Sequence, residues 1–259
     1  MGLRQGKVVA IIQARMNSTR LPKKVLTSIA GRPMVEWVAL RAMWANTVDE
    51  VVIATTVEKA DDILVRKLKD IGLNVFRGSE EDVLSRFVGA ARKFKAGIIV
   101  RLTADCPLLD PDMIDLVVMA YRENRKDYMA NCGIEYQLPR GLDVEVFNYR
   151  ALLKADSLST QPYEREHVTP RFYQHPEEFS IGMPEINPEW KRPDLRLCVD
   201  TVEDLALVRK IYNHFHGVDI LMSSTMAVYN YLDNYPKVKA LNAEVRQKPL
   251  VSDASEVKP

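Results

Sequence analysis

The chain reads as an α/β protein, with a mostly parallel central sheet and helices on both faces. Short apolar runs recur at Lys7–Ile12, Glu50–Thr55, Leu73–Phe76 and Ile98–Leu102, and amphipathic stretches of helical period alternate with them. Near-continuous apolar runs are what strands buried on both sides require, and strand–helix alternation builds parallel sheets. A further observation locates a ligand. The loop after the first run, Gln13 to Lys24, holds four cations (Arg15, Arg20, Lys23, Lys24) in twelve residues, with no acid and no glycine. Such sheets bind ligands at the carboxyl ends of their strands, and so cationic a loop suits a polyphosphate.

From Met34, Val35, Val38, Ala42 and Ala45 mark one helix; Leu64, Leu68 and Ile71 mark a second. Ser79 with Asp82 forms a capping-box pattern that opens a third helix over Glu80–Phe94, with Val83, Phe87, Ala90 and Phe94 at helical spacing. Asp110 before Pro111 is the natural cap of a fourth. After about Asp127 the rhythm changes. Leu142–Phe147 and Asp194–Val199 alternate as strands do, and Gln161–Pro193 between them carries six prolines, which predicts irregular structure. The region 127–193 is read as an insertion or lid over an acceptor site. Thr201 and Asp204 then cap a helix reaching Phe215, with Leu205, Val208 and Tyr212 on its buried stripe. The domain expected is 1–217, followed by a helical extension and frayed tail over 218–259, with helices across Asp219–Leu241 and fraying from Lys248.

A chain of 259 residues, 47% hydrophobic and 27% charged, suits one large domain with or without a small appendage. The net charge of +1 gives no drive toward nucleic acid or an anionic membrane. Val8–Ile12 is too short for a membrane span or a signal sequence. Cys106, Cys132 and Cys198 are widely spaced and lack a Cys-x-x-Cys pair. A disulfide framework or zinc site is not expected, and a reducing cytoplasm fits.

The cationic loop is not a Walker A loop, because Gly-x-x-x-x-Gly-Lys is missing. Phosphate binding here must lean on side-chain cations, backbone amides and the hydroxyls of Ser18 and Thr19. Asp105 follows the run Ile98–Leu102 and precedes Pro107, a strand-end position that suits a divalent cation held by one or two carboxylates and substrate phosphates. It would otherwise cap the next helix, a task for which Asp110 is better placed. Asp200 ends the alternating run before Thr201; because Thr201 serves as the cap, Asp200 is a candidate second metal carboxylate. Glu164, Arg165, Glu166 and His167 are either a solvated helix start or a patch recognising a polar acceptor. Arg140 with Asp143 and Glu145 makes a second such patch, and an arginine in either suits bidentate grip of a sugar carboxylate. His167 reads equally as a general base or as a surface histidine. Cys106 has no base beside it in sequence and reads as packing.

At Ile11-Ile-Gln-Ala-Arg-Met-Asn-Ser-Thr-Arg-Leu-Pro-Lys-Lys24 the chain resembles the cytidylyltransferases that activate sugar acids, the CMP-KDO and CMP-sialate synthetases. Within them it is most similar to the branch of the spore coat polysaccharide biosynthesis protein SpsF. The similarity continues through Val51–Thr56, Phe76–Arg86, Arg101-Leu-Thr-Ala-Asp-Cys-Pro107, Pro139–Val146, Tyr163–Pro170 and Val199–Leu205, covering roughly residues 7 to 215. The resemblance implies a GT-A/Rossmann-like nucleotidyltransferase, cytoplasmic and homodimeric, with CTP and a sugar acid as substrates and Mg²⁺ as cofactor. It implies nucleotide contacts from Arg15, Ser18, Arg20, Lys24, Arg77, Ser79 and Arg86, metal binding by Asp105 and Asp200, and catalytic roles for Lys24, Arg15 and Asp105. Arg140, Asp143, Glu145, Arg165 and His167 fall to the acceptor. The implied reaction is attack of an acceptor oxygen on the α-phosphorus of CTP, with pyrophosphate leaving. Two departures stand out: Lys23-Lys24 replaces Gly-Lys, and Thr103-Ala-Asp105 replaces Gln-Gly-Asp, which bear on base preference and acceptor. A GT-A glycosyltransferase is the rival activity, although the nearest Asp-x-Asp, Asp110-Pro-Asp112, sits at an expected helix start. A non-catalytic nucleotide-binding subunit is the other.

Overall fold

The computed structural model describes residues 6–132, 137–216, 218–221 and 223–247. From the amino end, β1 (Val8–Gln13) leads through the cationic loop into a short hairpin, β2 (Ser28–Ile29) and β3 (Arg32–Pro33), and then α1 (Met34–Trp44). The alternation continues as β4 (Glu50–Thr56), α2 (Asp62–Asp70), β5 (Asn74–Gly78), α3 (Val83–Lys93), β6 (Ile98–Thr103) and α4 (Pro111–Asn124). Next come β7 (Tyr128–Ala130), β8 (Glu145–Asn148), α5 (Tyr149–Leu158), α6 (Pro162–His167), α7 (Pro170–Gln174) and β9 (Ile181–Gly182). After these follow α8 (Val202–His214), α9 (Thr225–Asn234) and α10 (Pro236–Lys239).

Seven strands form one sheet in the order β5-β4-β1-β6-β8-β7-β9, parallel except for β8, which runs antiparallel to both β6 and β7. The chain moves outward from β1 to β4 and β5, then crosses back to place β6 on the other side of β1. The order therefore reverses between β1 and β6. At such a switch point the loops leaving the two strands diverge and open a crevice. The cationic loop leaves β1 there, and Asp105 follows β6.

Both faces of β1 are buried, as its unbroken apolar run requires. Val8, Ala10 and Ile12 pack with Val35, Val38 and Ala42 of α1 and with Val117 and Val118 of α4. Val9 and Ile11 point the other way, into Leu84, Phe87 and Ala91 of α3 and Leu152 of α5. A third cluster joins Trp37 of α1 to Leu197 and Val199, to Val208 and Tyr212 of α8 and to Leu232 of α9, with the Trp37 and Tyr212 ring centroids 4.8 Å apart. The carboxyl-terminal helices are thus part of the core. Arg41, fully buried, donates to the carbonyls of Leu109 and Ile220 at 3.1 and 2.8 Å, and Asp110 accepts from both the amide and hydroxyl of Thr225. The expected frayed tail from Lys248 lies outside the described residues.

Several local expectations are corrected. Asp82, not Ser79, is the N-cap of α3: its side chain accepts from the Ser85 amide at 2.9 Å, while the Ser79 hydroxyl accepts from the Asp82 amide at 3.0 Å and shapes the turn before it. The helix accordingly starts at Val83. Leu195, Leu197 and Val199 point inward, but Asp194–Val199 is not a strand: Asp194 lies in a turn and Cys198 in a bend, and its neighbours are loop backbones. It makes one bridge, Arg140 with Arg196, and the amides of Leu197 and Val199 donate to the carbonyls of Arg140 and Asp105 at 2.7 and 2.8 Å. In the proline-rich stretch, Pro162 and Pro170 open α6 and α7, positions where the missing amide costs nothing.

The bridge at Arg140 depends on Gly141. Its φ is +109°, and a Cβ there would come within 2.6 Å of the Cys198 nitrogen and the Leu197 carbonyl carbon. Gly141→Ala is expected to lower the unfolding free energy by roughly 3 kcal/mol or more, because strain and backbone clash coincide. Urea denaturation measures this; a loss below about 1 kcal/mol would contradict the close approach.

Candidate active site

The loop after β1 folds around one carbonyl. Met16 O accepts from the amides of Ser18 and Lys23 at 3.0 and 3.1 Å, and Lys23 takes the left-handed conformation (φ 60°) that lets Lys24 begin a short helical turn. Asp61 fixes the loop to the sheet. Its Oδ1 accepts from the Met16 amide at 2.8 Å, and its Oδ2 from the Thr55 hydroxyl, the Thr56 amide and the Thr56 hydroxyl at 2.7, 3.0 and 2.6 Å. Burial opposes ionisation of Asp61, but these bonds outweigh it and hold its pKa below the ordinary value. Asp61 was not foreseen from sequence. Its signal is the pair Thr55-Thr56 at a strand end with a carboxylate shortly after.

Lys24 then points back across the switch point. Its ammonium donates to Asp105 Oδ2 and Asp200 Oδ1 at 2.8 Å each, and to the Val199 carbonyl at 3.0 Å. Asp105 hangs from the end of β6; Asp200 is carried by the segment that runs beside it. Arg20 reaches Asp200 Oδ2 at 2.9 Å, and Arg196 reaches the same oxygen at 2.6 Å while bonding Asp204 at 3.0 Å. Asp204, fully buried, accepts from the amides of Asp200 and Thr201, which fixes where Asp200 points. Burial alone would depress the Lys24 pKa, yet the two carboxylates hold it above lysine's ordinary value. Burial would likewise raise Asp105, but Lys24 brings it down to about 2. Arg196 was also missed from sequence, because an arginine four residues before an aspartate outside a helix carries no periodic signal.

The sequence profile of the family described as Cytidylyltransferase matches residues 9–237, a span that contains this whole cluster. The chain belongs to the cytidylyltransferase family. This cytidylyltransferase is 34% identical over 210 residues to the spore coat polysaccharide biosynthesis protein SpsF of Bacillus subtilis, covering 79% of this chain and 86% of that one. It is 40% identical over 119 residues to a 3-deoxy-manno-octulosonate cytidylyltransferase of Geobacter sulfurreducens, covering 45% and 46% of the two chains. Among solved structures, a cytidylyltransferase from Leptospira borgpetersenii serovar Hardjo-bovis superposes with a TM-score of 0.82 at 33% identity, covering 90% of this chain and 96% of that one.

The remaining residues of interest divide by what holds them. Arg77 is engaged at the end of β4 and on α2, donating to the carbonyls of Thr56 and Glu58 at 2.8 and 3.0 Å and pairing with Asp62 at 2.7 Å. Arg165 ties α6 to α3 and α5 through Asp82 and Asp156, each at 2.7 Å. Glu145 accepts from the Tyr128 hydroxyl at 2.5 Å and pairs with Arg101, which also donates to Gln13 at 3.2 Å. Each of these three bonds extensively within the fold. Arg15 is half-exposed with two long contacts, 3.9 Å to Glu80 and Glu166. Arg86 is buried beneath it, donating to the Ser79 carbonyl at 2.7 Å; burial and the Arg15 charge push its pKa down to about 10. Ser79 is exposed and Ser18 half-buried. Burial lowers the His167 pKa. A groove of about 730 Å³ lies on the other flank of the loop between Met16, Leu26 and Ile63, and its lining does not include Lys24, Asp105 or Asp200. His175, Glu177 and Glu178 also stand close together. Arg171 takes both oxygens of Glu178, at 3.0 and 2.5 Å, and His175 bonds Glu177, so these side chains are engaged with one another within the fold.

Asp143 stands just before β8, on the strand face shared with Glu145. Burial, with the charges of Glu145 and Asp105, pushes its pKa up to about 6 against the pull of Arg140 and the Gly141 amide. The folded value exceeds the ordinary 3.8, so the group's contribution to stability is intact below pH 4 and is lost as pH rises through 6. Asp143→Asn is therefore expected to raise the unfolding free energy at pH 7.5 by roughly 1–3 kcal/mol, with little effect at pH 4. Denaturant titrations at the two pH values check this; equal effects at both would contradict the enclosed carboxylate.

Proposed function

We propose that this cytidylyltransferase transfers CMP from CTP to a hydroxyl oxygen of a sugar acid, releasing pyrophosphate, with Mg²⁺ held by Asp105 and Asp200. One observation carries the reading: a lysine of the phosphate-suited loop reaches two carboxylates, Asp105 just after β6 and Asp200 just before α8, at a single point. Two carboxylates and a backbone carbonyl converging on one cation are hard oxygen donors of the kind Mg²⁺ takes, alongside substrate phosphates. The Lys24 ammonium marks that point at 2.8 Å from each carboxylate, so the residues present fit the ion. When bound, Mg²⁺ would supply charge to polarise the α-phosphate.

The chain's own residues do the rest by alignment and charge. Arg15, Arg20 and Lys24 bind the triphosphate and offset the charge that develops on departing pyrophosphate, with Ser18 and backbone amides adding hydrogen bonds. Arg86 and Ser79 lie toward the nucleoside, and Arg77 braces the strand ends below it. On the acceptor side, Arg140 suits the sugar carboxylate. His167 is disposed to stay neutral near pH 7 and so to accept a proton from the attacking hydroxyl. Glu145 and Arg165 act as supports, and α6, which carries His167, contributes to the acceptor wall, whereas β7, β8 and β9 of the region read as a lid belong to the central sheet. The relationship to SpsF supports a place in surface polysaccharide biosynthesis, and the resemblance to sugar-acid synthetases supports a cytoplasmic homodimer. The glycosyltransferase alternative loses its metal motif: Asp110 caps α4 and bonds Thr225.

The test is pyrophosphate release by purified protein with Mg²⁺, each nucleoside triphosphate and a panel of ulosonic and nonulosonic acids. Release with CTP and a sugar acid together is expected. Consumption of a nucleotide sugar without pyrophosphate would overturn the reading. Asp105→Asn is expected to lower kcat on the order of a thousandfold or more with the fold retained; near-normal turnover would remove Asp105 from the mechanism.

A further inference from the structure

Lys24 does more in this fold than a phosphate-binding lysine needs to do. Its ammonium stands between both carboxylates of the proposed metal site and is capped by the Val199 carbonyl. Its side chain is only 12% exposed, and that of Asp200 only 11%. Arg20 and Arg196 share the remaining oxygen of Asp200, and Arg196 also pairs with Asp204. Three carboxylates (Asp105, Asp200, Asp204) thus face three cations (Lys24, Arg20, Arg196). A divalent ion approaching this cluster meets a balanced site whose centre already holds a positive charge. In a partly buried cluster that repulsion is weakly screened.

We propose that Lys24 is a placeholder cation that closes the Asp105–Asp200 pair to free divalent ions, and that the pair opens only when a nucleoside triphosphate draws Lys24 onto its phosphates. This rests on the reading of the loop as the triphosphate site and of the two aspartates as metal carboxylates. The origin of the three cations supports the exchange. Lys24 and Arg20 belong to the phosphate loop; Arg196 belongs to the segment that carries Asp200. A triphosphate seated on the loop withdraws two positive charges from the cluster and leaves one, and the deficit equals the charge of one divalent ion. The exchange needs no backbone movement. Lys24 is a point charge on a flexible stem, while its backbone stays fixed by hydrogen bonds from the Lys24 amide to Leu21 O and from the Thr27 amide to Lys24 O. Nucleotide and metal then bind with positive coupling, which by linkage is reciprocal.

The experiment is Mn²⁺ binding, followed by the electron paramagnetic resonance of free Mn²⁺, on the full chain without acceptor. The free wild-type isotherm is expected to overlay that of Asp105→Asn. Lys24→Gln is expected to gain a site about tenfold tighter or more, within the 5–150-fold range of ordinary coupling, and Lys24→Gln/Asp105→Asn to lose it again. With CTP, wild-type protein is expected to hold Mn²⁺ more tightly than CTP alone does, in an Asp105-dependent way. Mn²⁺ should then tighten CTP by the same factor. An Asp105-dependent site in the free wild type as tight as that of Lys24→Gln would overturn the placeholder while the metal assignment stands. Absence of any Asp105-dependent site, CTP included, would overturn both. If circular dichroism shows Lys24→Gln to be unfolded, the wild-type and Asp105→Asn arms with and without CTP decide alone.

Discussion

The three hydrogen bonds of the Lys24 ammonium join parts of the chain that are remote in sequence: the loop after β1, the end of β6, and the segment leading into α8. Each partner would be costly to leave alone. Asp105 and Asp200 are partly buried carboxylates side by side, and without a cation between them they would repel. Removing one member of such a buried pair typically destabilises by about 3–5 kcal/mol. The surrounding architecture can be understood as the means of bringing these groups together. The β1–β6 switch point aligns two strand ends, Asp61 locks the loop at Met16, and Gly141 lets the Asp200 segment lie against the neighbouring backbone.

The same cluster explains how a chain with a net charge of only +1 can serve a highly anionic substrate. Two of the cluster's three cations, Arg20 and Lys24, belong to the loop after β1 and are held against carboxylates. Arg15 differs in that its ion pairs are long, 3.9 Å to Glu80 and Glu166, and burial together with the Arg15 charge lowers the Arg86 pKa. The loop is in this sense suited to a polyphosphate, with close ion pairs at Lys24 and Arg20 and long ones at Arg15.

Much of the fold was legible in the sequence because strands buried on both faces leave unbroken apolar runs and because helix caps are local. Val8–Gln13, Ile98–Thr103 and the Thr201–Asp204 box are of this kind. Asp194–Val199 misled because alternation reports burial of one side, not hydrogen bonding, and this segment has loops rather than strands beside it. The proximity of Lys24, Asp105 and Asp200 was suggested by strand-end position and by resemblance. The direct contact, however, arises from tertiary closure across some 80 and 176 residues, which no local pattern encodes. Asp61 and Arg196 were invisible for the same reason. Conversely, Glu145 and Arg165 carried polar character that sequence assigned to the acceptor, whereas Tyr128 and Arg101 hold the first, and Asp82 and Asp156 hold the second.

The most direct measurement is a crystal structure of this chain with Mg²⁺ and a CTP analogue whose α,β-bridging oxygen is replaced by carbon. The account predicts the triphosphate along Arg15–Lys24, the Lys24 ammonium moved from both carboxylates to a phosphate oxygen, and the metal bound by Asp105 and Asp200. A nucleotide seated elsewhere, with Lys24 still bridging the two aspartates, would contradict it.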